Sequence, residues 1–286
     1  MNALQRTLMR IGCRDSDALP KVADAGRIVD APEGRVQIMH NGLRVKAGGY
    51  HGDWMAQIIR ALRGHHEPQE ELIFADLMRY VRHNSLIVEL GAFWSYYSLW
   101  YLREIPGSRA FCIEPDPASL AVGRFNAELN SMADRMVYRQ AWVGDGATTE
   151  LTAVCESDNV ARTLPLMNMQ AVSSLTGGQP IEMLHMDVQG AELGFLRSIA
   201  EVPAAQRPRF LVVSTHHSSI SGSPTTHVDC VAELRSLGAH VLVEHSVQES
   251  FSGDGLIVAS FLGEDEVIDL PLISRNEPGK SLFPSL

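Results

Sequence analysis

Predicted strands alternate with predicted helices from residue 85 onward, and this alternation constrains the fold more than any other feature of the sequence. The run SLIVELGA at Ser85–Ala92 predicts a buried strand followed by a turn. Further strands are predicted at Ala110–Pro115, Met136–Val143, Ile181–Val188, Phe210–Thr215, His240–His245 and Leu256–Phe261. Helices are predicted at Tyr96–Glu104, Ala118–Ser131, Ala191–Ala200 and Val228–Gly238. Strands that alternate with helices form right-handed βαβ units, so the sequence predicts an α/β fold with a parallel sheet.

The last two predicted strands have no helix between them. A loop containing Gly253, Asp254 and Gly255 joins them, so they pair as a hairpin and the final strand runs antiparallel. A plain dinucleotide-binding sheet is expected to keep its crossover helices. Seven strands with a terminal hairpin are the pattern of the class I methyltransferase sheet, doubly wound and mostly parallel, and we predict this fold class. The stretch Gly144–Pro180 is ambiguous and predicts a strand and a short helix.

The first 80 residues have a different pattern and are predicted to form an N-terminal extension or lid. Short strands are predicted between Gly26 and Val45, where the pair Asn41-Gly42 is a good hairpin turn. Helical spacing follows at residues 54–63 and 70–82. The predicted parts are the extension at 1–80, a cofactor-binding methyltransferase domain at 81–263 and a C-terminal tail at 264–286 that wraps the surface.

Composition narrows the function classes. The formal net charge of −10 makes extended binding to nucleic acid unfavourable. No run approaches the roughly 18 apolar residues of a membrane span, and no apolar signal segment follows Met1, so neither a membrane nor a secretory location is predicted. The four cysteines are far apart in the sequence, so they fit neither a zinc site nor a dense disulfide framework. Free cysteines of this kind favour a location in the reducing cytoplasm. Nothing in the sequence indicates an oligomeric state.

Carboxylates stand at the ends of three predicted strands. Glu89 is near the end of the first strand, Glu114 follows the second and Asp187 follows the fourth. Ligands of an open α/β sheet bind beyond the carboxyl ends of its strands. Glu114 also follows Glu89 by 25 positions, about where such folds place the acid that binds ribose hydroxyls. The sequence therefore predicts an adenosine-containing cofactor, which the spacing alone leaves open as NAD or S-adenosylmethionine.

Two details favour S-adenosylmethionine. The segment after Gly91 continues as AFWS, so the GxGxxG fingerprint of dinucleotide sites is absent. Glu89 would also direct a negative charge at a pyrophosphate, whereas the sulfonium and ammonium of S-adenosylmethionine tolerate carboxylates. Gly91 lets the backbone pass close to a ligand, and Tyr96 offers a ring for cation–π attraction. The predicted cofactor residues are Glu89, Gly91, Ala92, Tyr96, Glu114, Pro115, Asp116, Trp142 and Asp187.

Several segments resemble the FkbM-type methyltransferases. They are VELGAFWSYYSLWYL, CIEPDPASLAVGRFNAELN and LHMDVQGAELGFLRSI, together with HHEPQEE and ESFSGDGLIVA. The resemblance covers about residues 50–262, and the element DVQGAE at Asp187–Glu192 is its most diagnostic part. Many members have Asn and Gly where this chain has Phe93 and Ser95. The resemblance implies methyl transfer to hydroxyl oxygens of sugars, polyketides or other small metabolites, without naming an acceptor.

Methylation of a hydroxyl requires that the acceptor lose a proton. The predicted catalytic residues are Asp187, Glu192 and His216, which lie at or after the ends of the fourth and fifth strands. His216 suits a general base because an unperturbed imidazole titrates near neutrality, although the adjacent His217 stays open as the alternative. The alternative for the two acids is an interaction with the dipole of the helix that follows.

A divalent metal is possible at this edge but is not favoured. Asp187 and His216 occupy plausible positions for its ligands, but no Asp-Asn or Asp-Asp pair follows the fifth strand. His65, His66 and Glu67 could also form a metal cluster, although we favour a loop-to-helix junction with Pro68 near the start of the helix.

The leading hypothesis is therefore a cytoplasmic O-methyltransferase that uses S-adenosylmethionine and acts on a small molecule. Two alternatives stay open. The first is a nicotinamide-dependent oxidoreductase, and the second is a cofactor-binding or scaffold protein that has kept the fold and lost catalysis.

Overall fold

A computed structural model describes residues 3–283 of the chain. Its strands are β1 (Ile28–Ala31), β2 (Gly34–Ile38), β3 (Arg44–Lys46), β4 (Leu86–Leu90), β5 (Arg109–Ile113), β6 (Met136–Arg139), β7 (Trp142–Val143), β8 (Glu150–Val154), β9 (Ala161–Met167), β10 (Met183–Met186), β11 (Phe210–Thr215), β12 (His240–His245) and β13 (Gly255–Ser260). Its α-helices are α1 (Ala3–Gly12), α2 (Gly52–Ala61), α3 (Pro68–Leu77), α4 (Tyr96–Glu104), α5 (Pro117–Leu129), α6 (Met169–Leu175), α7 (Glu192–Ser198), α8 (Ser218–Ser221) and α9 (Thr226–Ser236). Within residues 3–283, no helix is long and apolar enough to cross a bilayer.

Seven strands form the central sheet, in the order β6-β5-β4-β10-β11-β13-β12. β4, β5, β6, β10 and β11 pair in parallel, whereas β13 is antiparallel to both β11 and β12. The chain winds outward from β4 to β6 and then returns to place β10 on the other side of β4. This doubly wound order with one antiparallel strand is the class I methyltransferase fold and confirms the predicted fold class.

The predicted bounds of β11, β12 and α4 agree with the structure to the residue. The predicted strand Met136–Val143 is wrong in its second half, because β6 ends at Arg139 and Trp142–Val143 is β7. β7 belongs to a separate small sheet of order β7-β9-β8. The ambiguous stretch before β10 therefore contains two strands and the helix α6.

The two faces of the sheet are covered by different parts of the chain. Ile87 packs on the face that holds Leu43 and Phe74 from the N-terminal segment. Val88 and Leu90 point to the opposite face, as alternation along a strand requires, and pack with residues of α7 and α9. Residues before position 80 thus form one of the two layers around the sheet together with α4 and α5. The predicted domain boundaries stay a prediction.

The N-terminal strands form an antiparallel sheet of order β1-β2-β3, with the predicted turn at Asn41-Gly42 between β2 and β3. Its outer strand is bonded to α5. Asn130 Oδ1 accepts from the Arg44 N–H at 3.0 Å, and Asn126 Oδ1 accepts from the Lys46 N–H at 2.8 Å. These amides satisfy the free edge of β3, which fixes the extension against the sheet.

The C-terminal tail lies against α3. The Gln69 side-chain amide donates to the Ser274 carbonyl at 2.8 Å and to the Glu249 carbonyl at 3.2 Å. Asn276 Nδ2 donates to the Ser250 carbonyl at 3.1 Å. The tail is thereby held on the segment that precedes β13.

The turn after β4 depends on a glycine. Gly91 has φ +72°, and a Cβ atom there would lie 1.7 Å from the Asp187 carbonyl oxygen. The N–H groups of Gly91 and Ala92 both donate to the Ile113 carbonyl, at 2.9 and 3.0 Å. The ends of β4, β5 and β10 therefore meet at one point, and only a residue without a side chain fits there.

We expect Gly91→Ala to lower the free energy of unfolding by about 3–5 kcal/mol, through left-handed strain and overlap with a backbone carbonyl. Gly177→Ala is the matched control, because Gly177 has φ +66° and no atom within 4 Å of an added Cβ. The control should lose only about 1 kcal/mol. Urea denaturation followed by circular dichroism measures both. Equal losses would mean that the turn relaxes away from Asp187.

Candidate functional site

The candidate site lies at the carboxyl edge of the sheet, where the strand order reverses between β4 and β10. Ligands of doubly wound sheets bind in the crevice at this position. The register aligns Leu90 with both Ile113 and Met186. Consequently Gly91, Glu114 and Asp187, which each follow one of these three residues, lie together at the edge as predicted.

Glu114 is held rigidly at the end of β5. Its Oε2 accepts from the Phe93 N–H at 2.9 Å, and its Oε1 accepts from the Asp116 N–H at 2.8 Å. Burial raises the pKa of Glu114 to about 7, although these backbone hydrogen bonds oppose the shift. Each oxygen keeps a lone pair for a further donor. Phe93, with φ +36°, takes a left-handed conformation to place its N–H there.

Asp116 uses its oxygens within the protein. Its Oδ1 caps α5 by accepting from the Ala118 N–H at 2.9 Å, and its Oδ2 accepts from the Ser157 N–H at 2.9 Å. Burial would raise the pKa of Asp116, but the hydrogen bonds from Ser157 and from the start of α5 lower it. Its contribution to cofactor binding stays a prediction, and its observed role is to fix the segment after Glu114.

Glu89 lies one residue below the end of β4 and is buried. Its Oε2 accepts from the Ser98 N–H in the first turn of α4, at 3.1 Å. Burial raises the pKa of Glu89, and the nearby His185 and the Ser98 hydrogen bonds oppose that shift. A carboxylate at a helix N-terminus is favoured by the helix dipole, so Glu89 fixes α4 against the strand.

Tyr96 is fully buried in an aromatic cluster, one layer inside the edge. Its hydroxyl lies 3.1 Å from His40 Nδ1, and its ring stacks on Trp94 with centroids 5.0 Å apart. Trp94 stacks in turn on Tyr50 at 4.6 Å. The structure does not bring the Tyr96 hydroxyl to the strand-end carboxylates.

The remaining predicted cofactor residues, Trp142, Pro115 and Ala92, form hydrogen bonds within the protein. The Trp142 indole N–H donates to the Arg162 carbonyl at 3.2 Å, which ties β7 to β9. The Pro115 carbonyl accepts from Gln140 Nε2 at 3.0 Å, and Ala92 takes part in the Gly91 turn. Pro115 and Ala92 flank Glu114 and Gly91, whereas the Trp142 N–H is directed at its own small sheet.

His216 is clamped between three carboxylates. Its Nδ1 lies 2.6 Å from Glu192 Oε1, and its Nε2 lies 3.1 Å from Asp187 Oδ1 and 3.6 Å from Asp254 Oδ1. Burial lowers the pKa of His216, but Asp187, Glu192 and Asp254 together raise it well above its ordinary value of 6.5. The side chain is therefore a buried imidazolium at neutral pH. These contacts favour the protonated imidazolium over the neutral base, and a role for His216 as general base stays a prediction.

Glu192 is fully buried behind His216, at the first position of α7. Both of its oxygens accept from the Gly190 N–H, at 3.0 Å. Its remaining partner is the His216 ring. Glu192 therefore orients the imidazolium and has no surface with which to contact a substrate.

Asp187 and Asp254 are the carboxylates of this cluster that reach solvent, with side chains 32% and 28% exposed. Burial opposes ionisation of Asp187, but contact with His216 holds its pKa below the usual range. Burial raises the pKa of Asp254, while His216 opposes the shift. Sequence reasoning missed Asp254. Because β13 runs antiparallel, the Gly-Asp-Gly loop that begins it lies at the same edge as the ends of β10 and β11.

A second buried network comes from HHEPQEE. Pro68 begins α3 as predicted, but Glu71 is buried between His65 Nδ1 and the His66 N–H, which lies 2.9 Å from Glu71 Oε1. Burial alone would raise the pKa of Glu71, but the two imidazoles lower it well below its usual range. Glu70 Oε1 lies 2.7 Å from His185 Nε2. The segment therefore packs against β10 through the contact between Glu70 and His185, one layer inside the strand ends.

His65, His66 and Glu67, the metal cluster that the sequence left as a less favoured alternative, are not the group that the structure brings together. Within residues 3–283, the three ligand atoms that converge within 4.8 Å belong to His40, His65 and Glu71. The rings of His40 and His65 stack at 4.1 Å with an interplanar angle of 17°. Parallel rings direct their lone pairs along parallel planes rather than to a common point, so we assign no metal to this group.

No model of a known protein family matches the chain, and no curated protein matches it. Among solved structures, it resembles an O-methyltransferase from Bacillus cereus in complex with SAH, at 14% identity and a TM-score of 0.42, over 67% of this chain and 79% of that chain. It also resembles a putative rRNA-methylase from Clostridium thermocellum, at 8% identity and a TM-score of 0.45, over 65% and 92%. A third is M. capricolum TrmK in complex with S-adenosyl-homocysteine, at 10% identity and a TM-score of 0.43, over 65% and 66%. Identities and TM-scores this low carry no argument about function, which must come from the strand order and the site itself. The resemblance to the FkbM-type methyltransferases stays a prediction.

We expect His216→Gln to lower the free energy of unfolding by about 3–5 kcal/mol, because it leaves buried carboxylates without a cation. The folded-state pKa of His216 is raised, so its stabilisation is complete below its ordinary value of 6.5 and is lost as the pH rises through the folded-state pKa. The gap between wild type and variant should therefore be widest in mild acid and narrow in alkali. Denaturant titrations across this pH range measure it.

His216→Gln/Glu192→Gln is the compensated variant, because it removes the cation together with one of its buried partners. It should regain part of the lost stability. His83→Gln controls for the loss of an exposed histidine and should leave the stability unchanged. A gap that is constant with pH would contradict the charged state of His216.

Proposed function

We propose that this chain is a methyltransferase that uses S-adenosylmethionine to methylate a hydroxyl of a small molecule. The observation that carries the proposal is Glu114, fixed at the end of β5 beside the Gly91 turn at the point where the strand order reverses. A carboxylate there accepts hydrogen bonds from ribose hydroxyls. When bound, S-adenosylmethionine supplies a methyl group whose bond to a positively charged sulfur breaks on transfer.

The charges at the edge fit this cofactor better than a dinucleotide. Glu89, Glu114, Asp187 and Asp254 face or underlie the crevice, and the cationic groups near them are His216, His185 and Arg10. Such an edge favours a sulfonium and an ammonium and opposes a pyrophosphate, because charges interact strongly where water is scarce. The turn after β4 also lacks the glycine fingerprint of nicotinamide enzymes.

We assign the acceptor proton to Asp187. Its carboxylate is the predicted catalytic group that remains partly exposed, and the His216 imidazolium holds it in place at 3.1 Å. His216 and Glu192 then act as positioning residues, since neither presents a free acceptor atom to a substrate. Positioning of this kind fixes the orientation of a base and stabilises its charged form.

The acceptor is proposed to be a small molecule, in line with the FkbM resemblance and the net charge of −10, which disfavours a phosphate backbone. We also propose a cytoplasmic location, because the four widely spaced cysteines suit a reducing compartment. The alternative of an inactive cofactor-binding scaffold predicts that S-adenosylmethionine binds and that no acceptor turns over.

Glu114→Gln should weaken S-adenosylmethionine by about 1.5–3 kcal/mol, which is roughly 10- to 150-fold, because one charged hydrogen-bond acceptor is lost. Glutamine keeps an acceptor for only one of the two backbone donors, Phe93 N–H and Asp116 N–H, so circular dichroism must verify that the variant is folded. Isothermal titration calorimetry measures the affinity. NADH, titrated in parallel, should give no binding heat.

Glu128→Gln is the matched control for this titration, since Glu128 is an exposed acid on α5. It should bind S-adenosylmethionine like the wild type. Unchanged affinity in Glu114→Gln would remove Glu114 from the site, and binding of NADH in preference would favour the oxidoreductase.

Asp187→Asn should lower kcat by about 10²–10⁴-fold once an acceptor is identified from a library of hydroxyl compounds. The pKa of Asp187 is held below its usual range, so the wild-type rate should not rise through the ordinary histidine pKa of 6.5. Formation of S-adenosylhomocysteine across pH measures both. His217→Gln, at the neighbouring position, should keep near-normal turnover.

Near-normal turnover in Asp187→Asn would show that another group takes the proton. Turnover that EDTA stops and Mg²⁺ restores would assign the step to a bound ion instead.

A further inference from the structure

A small cavity lies beside Asp254, next to the candidate methyl-transfer site. Its volume is about 10 Å³, which is space for one group of the size of a water molecule. Carboxylates and an imidazole form much of its polar lining, from Glu67, Glu70, Asp254 and His245. The Asp254 side chain also faces the crevice and is 28% exposed. The cavity and the candidate site therefore share a wall.

His245 contributes an unused hydrogen-bond acceptor to this lining. The residue is only 2% exposed, and its Nδ1 donates to the Ser246 carbonyl at 3.0 Å. Burial lowers the pKa of His245, so the ring is neutral and its Nε2 carries a lone pair. Among residues 3–283, Nε2 has no hydrogen-bond partner. A buried acceptor without a donor is costly, so this atom indicates a donor that the chain itself does not supply.

The carboxylates of Glu67 and Asp254 lack a close cation. Over the described part of the chain, the nearest to Glu67 are His66 Nε2 at 3.5 Å and Arg10 Nη2 at 4.0 Å, and the nearest to Asp254 is His216 Nε2 at 3.6 Å. These distances exceed the length of a charge-assisted hydrogen bond, about 2.7–2.9 Å. Burial raises the pKa of Glu67 to about 7 and also raises that of Asp254. Both carboxylates would therefore gain from a further cation.

The other polar groups of the cavity are already engaged. The Glu70 carboxylate lies 2.7 Å from His185 Nε2 and accepts from the Ser214 hydroxyl at 2.9 Å. The Gln69 side chain, which also lines the cavity, donates to two backbone carbonyls and accepts from the Phe251 N–H. What remains is a set of acceptors, two of them charged. A primary ammonium matches this set, because it carries one positive charge and three N–H donors.

A metal ion fits the cavity less well. Within residues 3–283, the ligand atoms of Glu67, Asp254 and His245 do not converge within 4.8 Å of one another. Bonds to a metal of about 2.0–2.6 Å draw ligands closer together than this. Hydrogen bonds from an ammonium are longer and tolerate the wider spacing.

The cavity lies on the half of the crevice that the proposed cofactor leaves free. Glu114, the proposed ribose ligand, follows β5 on one side of β4, whereas Asp254 precedes β13 on the other side. His216 Nε2 lies 3.1 Å from Asp187 Oδ1 and 3.6 Å from Asp254 Oδ1. One imidazole therefore separates the proposed base from the cavity, and one short molecule can reach both carboxylates.

We propose that this cavity binds the ammonium group of the methyl acceptor, which is a short amino alcohol. Its N–H groups donate to Glu67, Asp254 and His245 Nε2, and its hydroxyl lies beside Asp187, about two or three carbons from the amine. This inference rests on the proposed function. A protonated amine has no lone pair, so the methyl group passes to the hydroxyl oxygen, whose proton goes to Asp187.

The test measures the binding of two amino alcohols, 3-amino-1-propanol and phenylalaninol, and of their uncharged counterparts, 1-propanol and 3-phenyl-1-propanol. Ligand-observed NMR with the full-length protein follows each probe, with and without S-adenosylhomocysteine. Each amine should bind at least about tenfold more tightly than its alcohol, because its hydrogen bonds join charged groups. Calorimetric binding of S-adenosylhomocysteine tests the proposed function separately.

Two variants test the carboxylates. Glu67→Gln and Asp254→Asn each remove a negative charge and keep the size of the side chain. Each should weaken both amines by about tenfold or more and leave the alcohols unchanged. The affinity for S-adenosylhomocysteine should change by less than about threefold. Glu128→Gln, which removes an exposed acid on α5, should bind all probes like the wild type. Thermal melts verify that each variant is folded.

Equal affinity of the wild type for amine and alcohol would overturn the proposal, as would the absence of amine binding up to about 10 mM. A matching loss of S-adenosylhomocysteine affinity in Glu67→Gln and Asp254→Asn would also overturn it, because the cavity would then hold the amino group of the cofactor. An equal loss in Glu128→Gln would reduce the effect to general charge attraction and would overturn it too. Amine selectivity that both cavity variants abolish would support the proposal.

Discussion

The contact between Gly91 and the Asp187 carbonyl is the constraint on which the rest of the structure depends. It joins β4 to β10 at the reversal of strand order, so it fixes the crevice where a ligand can bind. The same turn brings the Phe93 N–H to Glu114 and places the following helix α4 over Glu89. One backbone approach therefore sets the relative positions of the carboxylates that both halves of the sheet contribute.

The second organising interaction is electrostatic. His216 is a buried cation, and its partners reach it from the ends of β10, α7 and β13. Three carboxylates so close together would repel one another, so the imidazolium stabilises their assembly and orients Asp187 toward solvent. Burying the charge of His216 costs solvation free energy, but the buried charge stabilises the ionised form of Asp187. It keeps a carboxylate ionised beside a crevice that would otherwise favour the protonated form.

Much of the fold follows from local patterns, and much of the site does not. Buried strands, their terminating glycines and the missing last crossover predicted the sheet, because these signals lie within a few residues of one another. Glu114 and Asp187 followed from the rule that ligands bind at strand ends. Asp254 did not, since its position depends on the reversed direction of β13. The burial of Glu71 between two imidazoles could not be predicted either, because the segment's sequence is equally suited to a solvated helix start.

The order of these elements along the chain also bears on how the protein is made. Gly91, Glu114 and the strands that carry them are all present once the first 140 residues have been synthesised. Asp254 follows Glu114 by 140 positions, which at about 5–20 residues per second is a delay of about 7–28 s. β4 is an interior strand of the finished sheet, and it has one edge unpaired during part of that interval, until β10 is synthesised. A nascent chain of this topology therefore exposes an apolar strand edge on the ribosome, and protection of that edge by a chaperone or by the N-terminal layer becomes part of its folding history.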